Sequence, residues 1–362
     1  MKQYRVGVLG ATGTVGQQIV HRLRHHPWFH VTAVAASDRS AGKRYSNAVH
    51  WRIHDEIPAA VANLEVQPLT PDLDCDICLS ALDSSVAGEA EERLARAGYP
   101  VISNSRNHRM DSDVPLLVPE VNPEHIALVG RQRTNRGYGS GFIATNPNCS
   151  AAGLVVALKP IHDAFGIEAI NVVTMQALSG AGYPGVASLD AIDNVIPHIA
   201  GEEEKLQSEP LKILGALHAG RVIGAEFKIS AQCNRVPVID GHMESVSLKL
   251  KTRPTPQEIA SALREFSGLP QQLGLPSAPF RPLEVRTEEN RPQTRLDRDS
   301  GDGMTVVVGR IRECPVMDIR FTLLSHNLVR GAAGAAILNA ELFAHEGYFA
   351  ARTRAEELQG AA

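Results

Sequence analysis

Cysteine is scarce in this chain of 362 residues: there are five, Cys75, Cys78, Cys149, Cys233 and Cys314. An odd, sparse and irregularly spaced set excludes a disulfide framework and points to reduced thiols. Long apolar runs are missing too. No stretch approaches the ~20 uninterrupted apolar residues of a membrane span, because Gly, Arg, His or Asp interrupts each one. The opening MKQYRVGVLGATG is cut by glycine before a secretory apolar core can form. A cytoplasmic protein is therefore expected. Nor is there an excess of charge of one sign: a formal net charge of −4 is too near balance to mark a partner in nucleic acid or an anionic membrane. Glycine (30) and proline (22) fall well short of low-complexity proportions, and no internal repeat is visible.

What is present is an ordinary globular composition, 43% hydrophobic and 21% charged. At roughly 100–200 residues per domain, the length suggests two domains or three. The first third alternates apolar runs with helical patterns. Tyr4 to Leu9 is followed by Val15, Ile19, Val20 and Leu23 at helical spacing and then by Phe29 to Ala36, a βαβ signature. Cys75 to Leu82, a charged helix around Glu89 to Ala97, Pro100 to Ser103 and Leu116 to Val121 continue the series, which predicts a parallel, helix-covered sheet. From about residue 150 the character changes. Val246, Leu248 and Leu250 alternate with polar residues, as do Met317, Ile319, Phe321 and Leu323, so these strands bury one face of an antiparallel sheet. A helix is expected over Pro256 to Phe266. The Pro- and charge-rich Leu269 to Asp302 reads as an extended surface or subunit-contact loop. Leu328 to Phe343, rich in Ala and Gly, reads as a closely packed helix.

The turn Gly10-Ala-Thr12-Gly13-Thr14-Val15-Gly16 follows the first strand and opens the first helix, where backbone N–H groups and the helix dipole can hold a pyrophosphate. Tight strand-to-helix turns need glycine in any case, so position carries more weight than the string itself. The second strand ends in Ser37-Asp38-Arg39-Ser40, with Lys43 and Arg44 beyond. An acid there suits the ribose hydroxyl of NAD, whereas arginine and hydroxyls suit the 2′-phosphate of NADP. The basic and hydroxyl cluster outnumbers Asp38 and favours NADP over NAD.

Cys149, in Asn146-Pro-Asn148-Cys149, begins a long helix running through Ala164. A thiol there has its thiolate stabilised by the dipole and free N–H groups, as a nucleophile requires. Taken alone, a cysteine beginning a helix is more often structural than chemical. Its wider context is the loop Asn234-Arg235 to Gly241-His242, where His242 can act as base and acid, and Gln176, which ends an apolar strand with an amide able to orient an acyl carbonyl. Cys75 and Cys78 form C-x-x-C within an expected strand. Three-residue spacing there sends side chains to opposite faces, against a redox pair or a metal clip. His21 and His25, like His50 and His54, have helical metal-pair spacing without an accompanying carboxylate motif, so no metal site is expected.

Taken in order, GATGTVGQ, SDRSAGKRY, SNSRNHRMDSDVPLLVPEVN, TNPNCSAAGL, MQALSGAGYPG, GEEEK, NRVPVIDGHMESV and HNLVRGAAGAAILNAE resemble the aspartate-β-semialdehyde dehydrogenases, in the branch of archaea, fungi and some bacteria. The resemblance implies an α/β enzyme: a Rossmann-type NADP-binding domain over 1–148 and an α+β catalytic and dimerisation domain with a mixed, largely antiparallel sheet over 149–327. Residues 328–362 would form a C-terminal helix packing back on the first domain. It further implies a homodimer or homotetramer that reduces L-4-aspartyl phosphate to L-aspartate 4-semialdehyde and inorganic phosphate, in lysine, threonine, methionine and diaminopimelate biosynthesis. Cys149 would be the nucleophile, with His242 handling protons and Gln176 positioning substrate. Arg109 and Lys205 would bind the phosphate, Arg235 the α-carboxylate and Glu202 the α-ammonium, with Glu203 and Glu204 competing for that register. Thr12, Gly13, Thr14, Val15, Ser37, Arg39, Ser40, Ser179, Gly180 and Asn327 would hold the cofactor. Two other readings are a malonyl-CoA reductase of the same architecture, disfavoured by Glu202 and Arg235, and a non-catalytic NADP-sensing protein, which has no need of Cys149 with Gln176 and His242.

Overall fold

The structure is a computed structural model and describes residues 3–37 and 39–349. The chain divides into two compact units. The described residues of the first lie within Met1–Pro115, Ile126–Asn146 and Ala336–Ala362, and those of the second within Leu116–His125 and Pro147–Ala335.

The first unit is built on strands β1 (Tyr4–Leu9), β2 (Phe29–Ala35), β3 (Val66–Gln67), β4 (Ile77–Ser80), β5 (Pro100–Ser103) and β6 (Phe142–Thr145). They pair in parallel in the order β3-β2-β1-β4-β5-β6. This is a doubly wound sheet whose order reverses at β1, and ligands bind such sheets beyond the carboxyl ends of the strands at that reversal. Apolar side chains of the strands and of the helix over them, Leu9, Ala33, Ile143 and Leu94 among them, are buried. Each fully buried leucine of this kind contributes about 1.5–3 kcal/mol. The helix Ser84–Arg96 begins on Asp83, whose side chain accepts from Ser85 N. Within that helix, buried Glu91 accepts from Ser80 Oγ at 2.6 Å and Ser103 Oγ at 2.7 Å, tying the ends of β4 and β5 together.

The second unit carries β7 (Ile167–Gln176), a small hairpin of β8 (Ala216–His218) and β9 (Arg221–Ile223), β10 (Lys228–Arg235), β11 (His242–Leu250), β12 (Leu283–Val285), β13 (Val306–Glu313) and β14 (Ile319–Ser325). The main sheet runs β10-β7-β11-β14-β13-β12. Its three central pairings are antiparallel, and the outer pairs β10/β7 and β12/β13 are parallel. The alternation read around Val246 and Phe321 is the buried face of β11 and β14. Against it lies the helix Cys149–Phe165, apolar on nearly every side and accordingly buried. Gly153 permits its approach, since a Cβ there would lie 2.6 Å from Ser325 Cβ.

Three expectations from sequence are corrected. Leu116 to Val121 forms no strand: Asn122 accepts from Val118 N and donates to Leu116 O, both at 2.9 Å, folding the apolar run into a side-chain-bridged turn. Leu269 to Asp302 is not wholly irregular, because Leu269–Leu273 and Thr294–Asp297 are helical and Leu283–Val285 is β12. Finally, Cys75 precedes β4 instead of lying in it, so the strand alternation does not apply and the Cys75 and Cys78 sulfurs lie 3.8 Å apart, both buried.

Candidate active site

In the first unit, β1 runs directly into the glycine turn. Gly10 has φ +72°, and a Cβ there would lie 2.5 Å from Ala81 O, so both conformation and space demand glycine. At Gly16 a Cβ would meet Gly10 O at 2.3 Å, which lets the helix Thr14–Arg22 start hard against the turn. Gly13 caps that helix without a side-chain hydrogen bond. The first-turn N–H groups of Thr14 and Val15 therefore lack a side-chain cap, and Thr12, Gly13, Thr14 and Val15 all keep some exposure. This cradle fits a pyrophosphate. Two residues that sequence reasoning missed brace it. Tyr45 donates to Ala11 O at 2.8 Å, and Gln17 Nε2 donates to Thr12 O at 2.9 Å and His50 O at 3.1 Å.

Beyond β2, Ser40 N donates to Ser37 O at 2.8 Å, which turns the chain and exposes Ser37 and Arg39. Asp38 lies outside the described residues. Arg109 also belongs to this unit; it is buried, and its Nη2 donates to Asn104 O at 2.8 Å.

The second unit gathers the other side chains. Asn148 caps the helix Cys149–Phe165, its Oδ1 accepting from Ser150 N at 3.0 Å and Ala151 N at 3.3 Å. Cys149 is thereby fixed in the first turn, at the positive end of the dipole. His242 opens β11, and its Nε2 lies 3.1 Å from Cys149 Sγ. On the other side of the ring, Ala177 N donates to Nδ1 at 3.0 Å. Burial and the adjacent Arg235 charge push His242 down to about 3, so the imidazole is neutral near pH 7. With Nδ1 accepting, the single proton of the neutral ring sits on Nε2 and points at the sulfur.

Gln176 ends β7, buried, and donates through Nε2 to Glu202 Oε2 at 3.2 Å. Glu202 opens the helix Glu202–Ile213 and also accepts from Asn148 Nδ2 at 2.8 Å and Lys205 Nζ at 2.6 Å. Burial works against its charge, but the Lys205 ammonium and these hydrogen bonds outweigh burial and hold the carboxyl below its ordinary range. Of the acidic run, then, Glu202 faces Asn148 and Gln176, Glu203 accepts from Cys233 N, and Glu204 is exposed. Arg235 ends β10 and donates from Nη1 to Ala177 O at 2.7 Å. A Cβ on Gly180 would lie 2.9 Å from that Nη1 and 3.0 Å from His242 Cε1. Asn327 accepts from Gly241 N and donates to Ser179 Oγ, both at 2.8 Å.

The second unit thus brings Cys149, His242, Gln176, Glu202, Lys205 and Arg235 onto one end of the sheet and links Asn327 to Ser179. Sequence reasoning missed Asn148, the Ala177 N–H and Glu209, which accepts from Asn148 N at 2.6 Å. Only Asn148 carried a local signal, as a cap residue before a helical run. Among the described residues, no group of three or more His, Cys, Asp or Glu is placed to hold a metal ion.

A glycine-cradle parallel sheet in one unit and a histidine-paired thiol on a mixed sheet in the other are the parts of a thiol-bearing, dinucleotide-binding dehydrogenase. The profile described as "Semialdehyde dehydrogenase, NAD binding domain" matches residues 5–129, and that described as "Semialdehyde dehydrogenase, dimerisation domain" matches 158–330. The chain is 49% identical over 345 residues to the aspartate-semialdehyde dehydrogenase of Archaeoglobus fulgidus, covering 95% of this chain and 99% of that one. It is 51% identical to that of Methanothermobacter thermautotrophicus, covering 93% and 98%. The crystal structure of the Candida albicans aspartate semialdehyde dehydrogenase with NADP superposes with a TM-score of 0.89 at 44% identity, over 96% of this chain and all of that one. The chain belongs to the aspartate-semialdehyde dehydrogenase family.

Proposed function

We propose that the protein catalyses NADPH-dependent reductive dephosphorylation of L-4-aspartyl phosphate to L-aspartate 4-semialdehyde and inorganic phosphate. The observation that carries this reading is the 3.1 Å approach of His242 Nε2 to Cys149 Sγ, flanked by an amide, an acid and an arginine suited to an amino-acid head group. Cys149 thiolate attacks the acyl carbon, the bond to the phosphate oxygen breaks, phosphate leaves with the electron pair, and a thioester remains on the sulfur. Bound NADPH supplies the hydride that reduces this thioester. His242 supports the oxyanion with its Nε2–H and then the departing Cys149 thiolate, so aldehyde is released without a net proton demand on the ring. Gln176 orients the acyl group, while Glu202 takes the α-ammonium and Arg235 the α-carboxylate. Arg109 and Lys205 bind the phosphate.

The cofactor reading as NADP is supported by the Ser37, Arg39 and Ser40 turn and by the Candida albicans enzyme, whose crystal structure holds NADP. Thr12, Gly13, Thr14 and Val15 would hold its pyrophosphate, and Ser179, Gly180 and Asn327 its nicotinamide. The description of the second matching profile supports a homo-oligomer. Gln232, Asn171 and Ser245, exposed on the sheet, supply a polar surface for that contact. The five sparse and irregularly spaced cysteines favour the reducing cytoplasm.

Following NADPH formation by absorbance from aspartate semialdehyde, phosphate and NADP tests the reading. Turnover that Cys149→Ala abolishes, with NADPH binding retained, is expected. Faster reduction of malonyl-CoA than oxidation of aspartate semialdehyde contradicts it.

A further inference from the structure

Arg330 lies in the second unit at 1% exposure, among the largest fully buried side chains described. Its Nη2 donates to Glu120 Oε1 and its Nε to Met304 O, both at 2.7 Å, and the Glu120 side chain is itself fully buried. Glu120 is wedged in turn: a Cβ on Gly268 would lie 2.6 Å from its Cα. A buried ion pair is weak evidence for stability, because well-packed apolar residues of similar volume commonly serve as well. What the pair holds in place is more informative.

Arg330 sits in a single π-helical turn, Val329–Ala333, between β14 and the final helix. Such turns concentrate at functional sites. The next residue, Gly331, lies on the thiol-bearing backbone, where a Cβ would stand 2.7 Å from Cys149 Cβ and 2.9 Å from Cys149 Cα. Three residues before Arg330, Asn327 is bonded to Gly241 and Ser179. From Leu328 to Ala336 the segment reads LVRGAAGAA, and apart from Arg330 it is apolar or glycine. Small residues allow close packing but specify rotation and register poorly, and Arg330 adds directional side-chain hydrogen bonds to this turn.

We propose that Arg330 and Glu120 are a positioning pair: their buried contact locks the π-turn so that Gly331 seats the Cys149 backbone and holds its sulfur against His242. The catalytic part of this inference rests on the reading of Cys149 as nucleophile. The test uses the full chain carrying Arg330→Met and Glu120→Leu together, which removes both charges and leaves none unpaired. Thermal melting, NADP binding, turnover and the pH profile of Cys149 alkylation by iodoacetamide, followed by mass spectrometry, are compared with wild type. The variant is expected to fold and bind NADP normally. Its kcat and its alkylation rate near neutral pH should both fall about 10–100-fold, with the alkylation profile moved to higher pH and KM little changed. Wild-type alkylation and turnover in the folded variant overturn the proposal. Slowed alkylation with unchanged turnover supports the seating of Cys149 and refutes the nucleophile reading instead. If the double variant does not fold, Arg330→Lys, which keeps the charge but not the paired geometry, should lower both rates about tenfold. Wild-type rates there overturn the proposal.

Discussion

His242 meets Cys149 with a proton to give: Nδ1 accepts the Ala177 N–H at 3.0 Å, and Nε2 faces the sulfur at 3.1 Å. Taking a second proton would turn Nδ1 into a donor aimed at another donor and break the Ala177 bond, inside a fully buried site next to Arg235. The ring is therefore better suited to stabilising a thiolate and an oxyanion than to storing the thiol proton.

That relationship predicts a pH signature of stability. The unfolded chain protonates this histidine near its ordinary 6.5, whereas the native protein resists until about 3. Between those values the unfolded state binds the extra proton, so stability falls as pH is lowered, by about 1.4 kcal/mol per pH unit from this group. His242→Asn should flatten the acid limb of a denaturation-against-pH curve by about one proton while strongly reducing turnover. An unchanged acid limb would show that His242 titrates normally in the folded protein.

Space around Gly180 gives a second expectation. In Gly180→Ala the new methyl group would crowd both Arg235 Nη1 and the His242 ring. Arginine can swing aside but the imidazole is pinned by Ala177, so kcat should fall about tenfold or more with a smaller change in KM for aspartate semialdehyde. Wild-type kcat in this variant would contradict the tight packing.

For the cofactor, Arg39→Ala should weaken NADP markedly and NAD little, because a hydrogen bond to a charged phosphate contributes about 1.5–3 kcal/mol. Titration of both nucleotides decides it. Equal loss would assign Arg39 to the pyrophosphate or to folding.

Substrate selectivity separates two arginines. Arg235 presents a guanidinium fork that a lysine ammonium cannot reproduce, so Arg235→Lys should raise KM for aspartate semialdehyde strongly and KM for phosphate little. Arg109→Ala should show the reverse order. Steady-state kinetics with each substrate varied in turn provides the check, and an inverted ranking would exchange the two assignments.

How far these arrangements could be read from sequence depended on how local their causes are. The β1 turn was legible because Gly10 takes a positive φ and Gly16 packs on Gly10 O, both causes within the turn itself, and the helix start at Cys149 because a long apolar helical run begins there. The alternation in β11 and β14 reports one buried face directly. Leu116 to Val121 misled because its apolar run is strand-like, yet the Asn122 side chain occupies the backbone groups a strand would pair. Cys75 misled by lying just short of β4. The Ala177 N–H on His242 and Gly331 on Cys149 join residues far apart in the chain, and no local pattern announces them.

The central claim is a covalent intermediate on Cys149, and it is tested most directly by a single-turnover experiment without phosphate. With aspartate semialdehyde and NADP alone, the expected result is a burst of one NADPH per active site and a thioester on the Cys149 peptide by mass spectrometry, discharged when phosphate is added. No burst, an acyl group on another residue, or a burst that survives Cys149→Ala would contradict it.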